Sequence, residues 1–280
     1  MNLIIIPILA GIFSGVTELL YKAVQNKKFS KATYIFTFYL IATIITLPFF
    51  IFKFEPDITI SLGFIILLAL ACYVLGNYFM FSALKVEDLS NIAIVRRSDM
   101  LFSVLFGFLF FNELITNKNI LGVVLIILGV LVIFFEKKKI SMISYKGLLF
   151  SLLTGFFFAL AAFFAKYILK SINPYFFVFL IYLGLTISFS FFPKVKTEYK
   201  ELFKLHKAKI LAAGILGVFA YLLNIISLKV LNLSISFPVI GSTALSIAVL
   251  SGLIILKERK NLFKKLVGLI FVIAGIYMFA

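Results

Sequence analysis

Apolar runs long enough to cross a membrane follow one another down the chain, separated by short segments that hold nearly all of its Lys, Arg, Asp and Glu. A hydrocarbon core of roughly 30 Å is crossed by about 20 helical residues at 1.5 Å each. The pattern predicts spans at 2–21, 33–52, 59–84, 89–111, 119–135, 147–165, 174–192, 210–228, 233–256 and 262–280. Inside lipid every backbone N–H and C=O must be bonded within the protein, which leaves helices or a closed barrel, and runs without polar alternation exclude the barrel. The expected fold class is an all-α integral membrane protein with about ten transmembrane helices.

Composition strengthens this reading: 63% of the 280 residues are hydrophobic and 14% charged, against roughly half and a quarter in soluble domains. The net charge of +16 does not point to nucleic acid, because the cations lie in the connecting segments and no basic helix remains to meet a phosphate backbone. Loops after odd-numbered spans, counting with them Lys264 and Lys265 at the start of the last span, hold 20 Lys and Arg, and loops after even-numbered spans hold 5. The positive-inside rule then puts the odd-numbered loops in the cytoplasm of a multi-pass protein of the cell membrane, with both termini outside. The first run lacks a basic leader and a clear cleavage site, and reads as a span. The lysine-rich loop 194–209 carries Tyr199, Leu202 and Phe203 at helical spacing, the pattern of an amphipathic helix on the inner leaflet.

Shifting the sequence by 144 residues brings Gly11 onto Gly155, Lys22 onto Lys166, Lys85 and Val86 onto Lys229 and Val230, Leu89 and Ser90 onto Leu233 and Ser234, and Ser98 onto Ser242. After a slip of one residue Glu113 meets Glu258, and after another Gly122 and Gly129 meet Gly268 and Gly275. Each half holds five spans. An odd number inserts the second copy upside down, and inverted repeats of this kind frequently place a solute site near the midplane between the halves.

The stretch from Ala83 and Leu84 through Ser90, Arg96, Arg97, Ser103, Gly107 and Phe110 to Glu113, then Gly122 and Gly129, forms a small-residue hairpin, an apolar helix ending before Glu, and a helix with spaced glycines. Leu228, Ser234, Pro238, Gly252, Glu258, Gly268 and Gly275 repeat it. This arrangement resembles the drug/metabolite transporter superfamily, EamA type. The resemblance implies two EamA-like five-helix repeats, 1–140 and 141–280, that export or take up a small organic solute by alternating access. Members handle solutes from amino acids and nucleobases to sugar phosphates and amphipathic cations, so no one solute is implied. At the positions equivalent to Arg96 and Arg97 the second half has Ile240 and Gly241, which argues against equal contributions from the two halves.

Apart from Lys264 and Lys265, counted with the loop at the start of the last span, four charged residues stand inside spans: Glu18, Arg96, Arg97 and Asp99. Each costs several kcal/mol against lipid, so each is expected to face a partner, the protein interior or a wet cavity. On one continuous helix, Ile92, Arg96, Asp99, Ser103 and Gly107 form a stripe, with Arg96 roughly 10 Å from the start at Leu89. Arg97, about 100° round, need not share the cavity and is placed to pair with Glu18. Two readings stand: solute binding, or closed Arg96–Asp99 and Arg97–Glu18 pairs that lock helices. A guanidinium fork suits carboxylate or phosphate, and two cations beside two anions favour a zwitterion such as an amino acid. Glu18 is the candidate titrating group if a proton is coupled.

Uncharged candidates are Tyr73 and Asn77, Tyr221 and Asn224, and Ser242 in the run Ser234, Pro238, Gly241, Ser242 and Thr243. Such residues glue helices together as readily as they touch solute. Glu113 and Glu258 read as hairpin residues at helix ends. No paired His or Cys has metal-ligand spacing, the single His206 lies in a lysine-rich loop, and no Gly-rich phosphate loop occurs. The expectation is therefore no enzyme and no cofactor, but a secondary transporter of a small organic metabolite. The alternatives are a flippase for lipid head groups or a channel-like pore. Expected partners are the solute, the bilayer and, left open, a coupling proton; nucleic acid is not expected, and monomer or homodimer both remain open.

Overall fold

The computed structural model describes residues 3–24, 28–52, 58–86, 95–113, 116–134, 144–254 and 262–278. Among them there is no strand, and ten helices follow in order: α1 (Ile5–Val24), α2 (Lys31–Phe52), α3 (Ile60–Val86), α4 (Ser98–Phe111), α5 (Asn117–Phe134), α6 (Tyr145–Ile168), α7 (Pro174–Ser190), α8 (Pro193–Val230), α9 (Leu233–Ile254) and α10 (Leu262–Tyr277). By length and composition alone, α2, α3 over Ile60–Ala83, α6 and α8 could each cross a membrane; the other six contain shorter apolar stretches. The outer surface is apolar, with Ile60 95% and Phe52 79% exposed, as a lipid-facing surface requires.

Two helices differ from the sequence pattern. In the fourth run Val95 and Arg96 are helical, the chain turns at Arg97, and α4 begins at Ser98 with Arg97 (φ −65°, ψ −1°) as its N-cap. A single 3.6-residue period therefore does not carry through from Arg96 to Gly107; Ile92 and Leu89 lie outside the described residues. The eighth run starts at Pro193, well before 210, because the lysine-rich segment is itself helical up to a kink at His206 (φ −127°, ψ 26°).

That leading part of α8 does not present its apolar face to lipid. Leu202 is fully buried among Val24, Phe29, Tyr34 and Phe38, and the Tyr199 ring stands edge-on to Phe36 at 5.6 Å. Glu198 Oε2 accepts hydrogen bonds from the Ser30 N–H and Thr33 Oγ1, each at 2.7 Å, and so caps the N-terminus of α2, where negative charge is favourable. Desolvation would raise this carboxyl, but the hydrogen bonds from Ser30 and Thr33, with Lys194 nearby, hold it below its ordinary value overall.

The packing exchanges the first five helices with the second five. α1 lies on α8 as α3 lies on α6, and α1 lies on α9 as α4 lies on α6; α2 with α7, α4 with α9 and α5 with α10 are self-matched pairs. The glycines carry the relation to atomic detail. A Cβ on Gly11 would lie 2.6 Å from the Ile240 carbonyl, and one on its mate Gly155 2.9 Å from the Arg96 carbonyl, so only glycine permits these two crossings. Likewise a Cβ on Gly129 would meet the Gly268 carbonyl at 2.6 Å, and one on Gly275 the Gly122 carbonyl at 2.7 Å. Each contact maps onto its mate under the offset found in the sequence. The fold is an all-α membrane architecture of two inverted five-helix repeats.

Candidate functional site

Between the repeats lies a cavity of about 180 Å³. The first repeat contributes Ser14 and Glu18 from α1, Tyr73 from α3, and Arg96, Arg97 and Asp99 at the start of α4; the second contributes Phe158 from α6, Tyr221 and Asn224 from α8, and Phe237, Ile240, Gly241 and Ala244 from α9. Seven of the residues singled out in the sequence thus converge: Glu18, Tyr73, Arg96, Arg97, Asp99, Tyr221 and Asn224. Asn77 and Ser242 do not line this space. The Asn77 amide donates to the Tyr73 carbonyl at 2.8 Å and accepts from the Tyr39 hydroxyl at 2.9 Å, so its hydrogen-bonding capacity is turned into the helix packing. Ser242 donates back to the Pro238 carbonyl at 2.6 Å within its own helix and is fully buried.

The charges pair differently from either expectation. Arg96 Nη2 donates to Glu18 Oε1 at 2.7 Å, and Arg96 Nη1 faces Met80 Sδ at 3.5 Å. The helical hydrogen bonding is interrupted at Arg97, whose backbone stays in the right-handed helical region, and Arg96 meets Glu18 of α1 and not Asp99. Arg97 instead extends beside Gly241, its Nη1 3.1 Å from where a Cβ on that glycine would stand. Asp99 is 8% exposed in the first turn of α4, where the helix dipole favours a carboxylate. Arg96 Nε, Arg97 Nε, Asp99 Oδ1 and Asn224 Oδ1 are buried with no hydrogen-bond partner among the described residues. The remaining wall is aromatic, with Tyr73 edge-on to Tyr221 at 5.8 Å and Tyr221 edge-on to Tyr182 at 5.2 Å. The cavity therefore offers donors, acceptors and a ring surface to a molecule that has both charge and an apolar part.

Phe158, Phe237 and Ala244 carried no chemical signal in the sequence. Ile240 and Gly241 did: they stand at the repeat positions of Arg96 and Arg97, and the structure brings all four to one cavity. Glu113 is more than a hairpin residue. It is 6% exposed; its Oε1 accepts from the Leu233 N–H at 2.7 Å, and its Oε2 from the Ser234 N–H at 2.9 Å and the Ser234 hydroxyl at 2.6 Å. Lys166 lies 3.3 Å from Glu113 Oε1 and donates to the Leu231 carbonyl at 2.6 Å. A carboxylate of the first repeat thus caps α9 of the second. Glu258 and Ser90, their repeat mates, lie outside the described residues.

The sequence profile of the EamA-like transporter family matches this chain twice, over residues 1–135 and over residues 145–280. The chain belongs to the EamA-like transporter family. As an EamA-like protein it is a transporter of the drug/metabolite type, and each match spans five of the helices described above. A solved structure, titled only as the crystal structure of a protein, superposes with a TM-score of 0.75 over 99% of this chain and 96% of that one at 14% sequence identity, a likeness of fold alone. No curated protein matches. Among the described residues of this EamA-like chain, no group of three His, Cys, Asp or Glu side chains could hold a metal ion.

Proposed function

We propose that this protein is a secondary carrier of the cell membrane that moves a small zwitterionic or anionic organic metabolite by alternating access, with the cavity between its repeats as the solute site. One observation carries the reading: two cations and two anions, Arg96, Arg97, Glu18 and Asp99, converge in a small cavity lined from both repeats inside an otherwise apolar protein. Buried charge at such a place is costly unless paired or put to use. A cavity of about 180 Å³ has room for a small polar solute. The loop charges support odd-numbered loops in the cytoplasm and both termini outside.

The reading is tested by uptake into proteoliposomes holding the purified chain, with labelled amino acids, nucleobases, sugar phosphates and organic cations offered one at a time. A carrier gives uptake that saturates with concentration for at least one small solute. Uptake that rises linearly without limit would indicate a pore, and scrambling of a labelled phospholipid with no solute uptake would indicate a flippase.

A further inference from the structure

The four charges of the cavity are not equivalent. Arg96 is committed to Glu18 at 2.7 Å, a bridge contained within the first repeat. Arg97 Nε and Asp99 Oδ1 are buried without a partner among the described residues, and both side chains line the cavity. Their repeat mates are Gly241 and Thr243, neither of which is charged. Gly241 makes room for Arg97: a Cβ there would stand 3.1 Å from Arg97 Nη1 and 2.6 Å from Met100 Cε. An arginine on both sides of this near-symmetric contact would crowd two guanidiniums together with no second free counter-ion. Glycine on one side lets a single guanidinium occupy the interface between the repeats.

We infer that Arg97 takes the anionic end of the solute and Asp99 its cationic end, that Gly241 sets where the Arg97 guanidinium rests, and that Arg96 with Glu18 is a positioning pair. This rests on the carrier reading above and gives it a substrate class, a small zwitterion whose carboxylate and ammonium lie close together. A guanidinium fork grips a carboxylate at two points, and a carboxylate oxygen accepts from an ammonium. A simple anion would satisfy Arg97 but leave the Asp99 oxygen buried, unpaired and repelling it. A simple cation would leave Arg97 in the same position. Each buried charge left unmet lowers affinity by about tenfold to a hundredfold.

The test is ligand-induced thermal stabilisation of the purified full chain, with titration to obtain Kd. The panel is L-amino acids with neutral side chains as zwitterions, lactate and pyruvate as anions, and ethanolamine and choline as cations. Wild-type protein is expected to respond to one or more of the amino acids above lactate, pyruvate or either cation. Arg97→Gln abolishes that response, and Arg97→Lys, which retains the charge without the fork, leaves a response weaker by about tenfold. Asp99→Asn reverses the preference, weakening amino acids and strengthening lactate and pyruvate, a change that a residue serving packing alone would not produce. Gly241→Ala, whose methyl would press on Met100 Cε at 2.6 Å and on Arg97 Nη1 at 3.1 Å, shifts the guanidinium slightly while removing no polar group and weakens amino-acid binding about threefold. The Glu18→Gln/Arg96→Gln double variant weakens the response to zwitterions, anions and cations alike, because the pair positions the segment that carries Arg97 and Asp99. An undiminished amino-acid response in Arg97→Gln, or a wild-type preference for the anions or the cations, would overturn this assignment and leave the carrier reading standing. A wild-type protein that answers to none of the panel, and transports no solute in proteoliposomes, would overturn both.

Discussion

Glu18 comes from α1 and Arg96 from the segment before α4, 78 residues apart in sequence, and they meet at 2.7 Å. Arg96 is largely enclosed while the Glu18 side chain stays 40% open to the cavity, so removing one partner costs about 1 to 2 kcal/mol, less than for a fully buried pair, and removing both together costs less again. Glu18→Gln and Arg96→Gln should therefore each destabilise the protein by about 1 to 2 kcal/mol, and the double variant should recover part of the loss when the three are compared by thermal unfolding. Additive losses would mean that the two side chains do not act as a pair. At this scale the sequence gives the identity of the charged residues, because charge inside an apolar run stands out against the cost of burying it. Partner choice is not legible there. It depends on a close approach of α1 to the segment before α4, which no local spacing encodes.

At the scale of elements, the helices themselves are legible because the length of an apolar run is set by the thickness of the bilayer. Their ends and docking are less so. Glu113 binds the first amides of α9 from 120 residues away, and nothing around it in sequence names that partner. Glu113→Ala would leave those amides and the Lys166 ammonium unmet and is expected to cost about 3 to 5 kcal/mol. Adding Lys166→Met should return part of that stability, and hydrogen exchange at the start of α9 should quicken in the single variant. Unchanged exchange there would mean that the cap contributes nothing to α9. The leading half of α8 teaches a similar lesson. Its amphipathic pattern is plain in Tyr199, Leu202 and Phe203, but an apolar face reads the same whether lipid or protein covers it. The structure covers it with α1 and α2.

For the whole molecule, the repeat is the feature most fully legible in sequence and most informative in structure. Gly11 with Gly155 and Gly129 with Gly275 align as letters, and each pair proves to make matching backbone contacts across the interface. The same comparison draws attention to a place where the repeats differ in charge, Arg96 and Arg97 against Ile240 and Gly241, and the cavity is built there. On the proposed carrier reading, the symmetry would supply two equivalent ways to rock, and the broken symmetry at the centre one way to hold a solute. The aromatic wall of Phe158 and Phe237 was hidden for the opposite reason, since phenylalanine is common throughout this chain and carries no signal by itself.

Alternating access makes a demand on flux that neither a pore nor a scaffold meets, because the site must return across the membrane between turnovers. The direct measurement is exchange in proteoliposomes, with uptake of the labelled solute compared between vesicles loaded with the same unlabelled solute and empty ones. Loaded vesicles are expected to take up label faster and to lose that acceleration in Arg97→Gln. Equal rates in loaded and empty vesicles, rising linearly with concentration, would contradict the account.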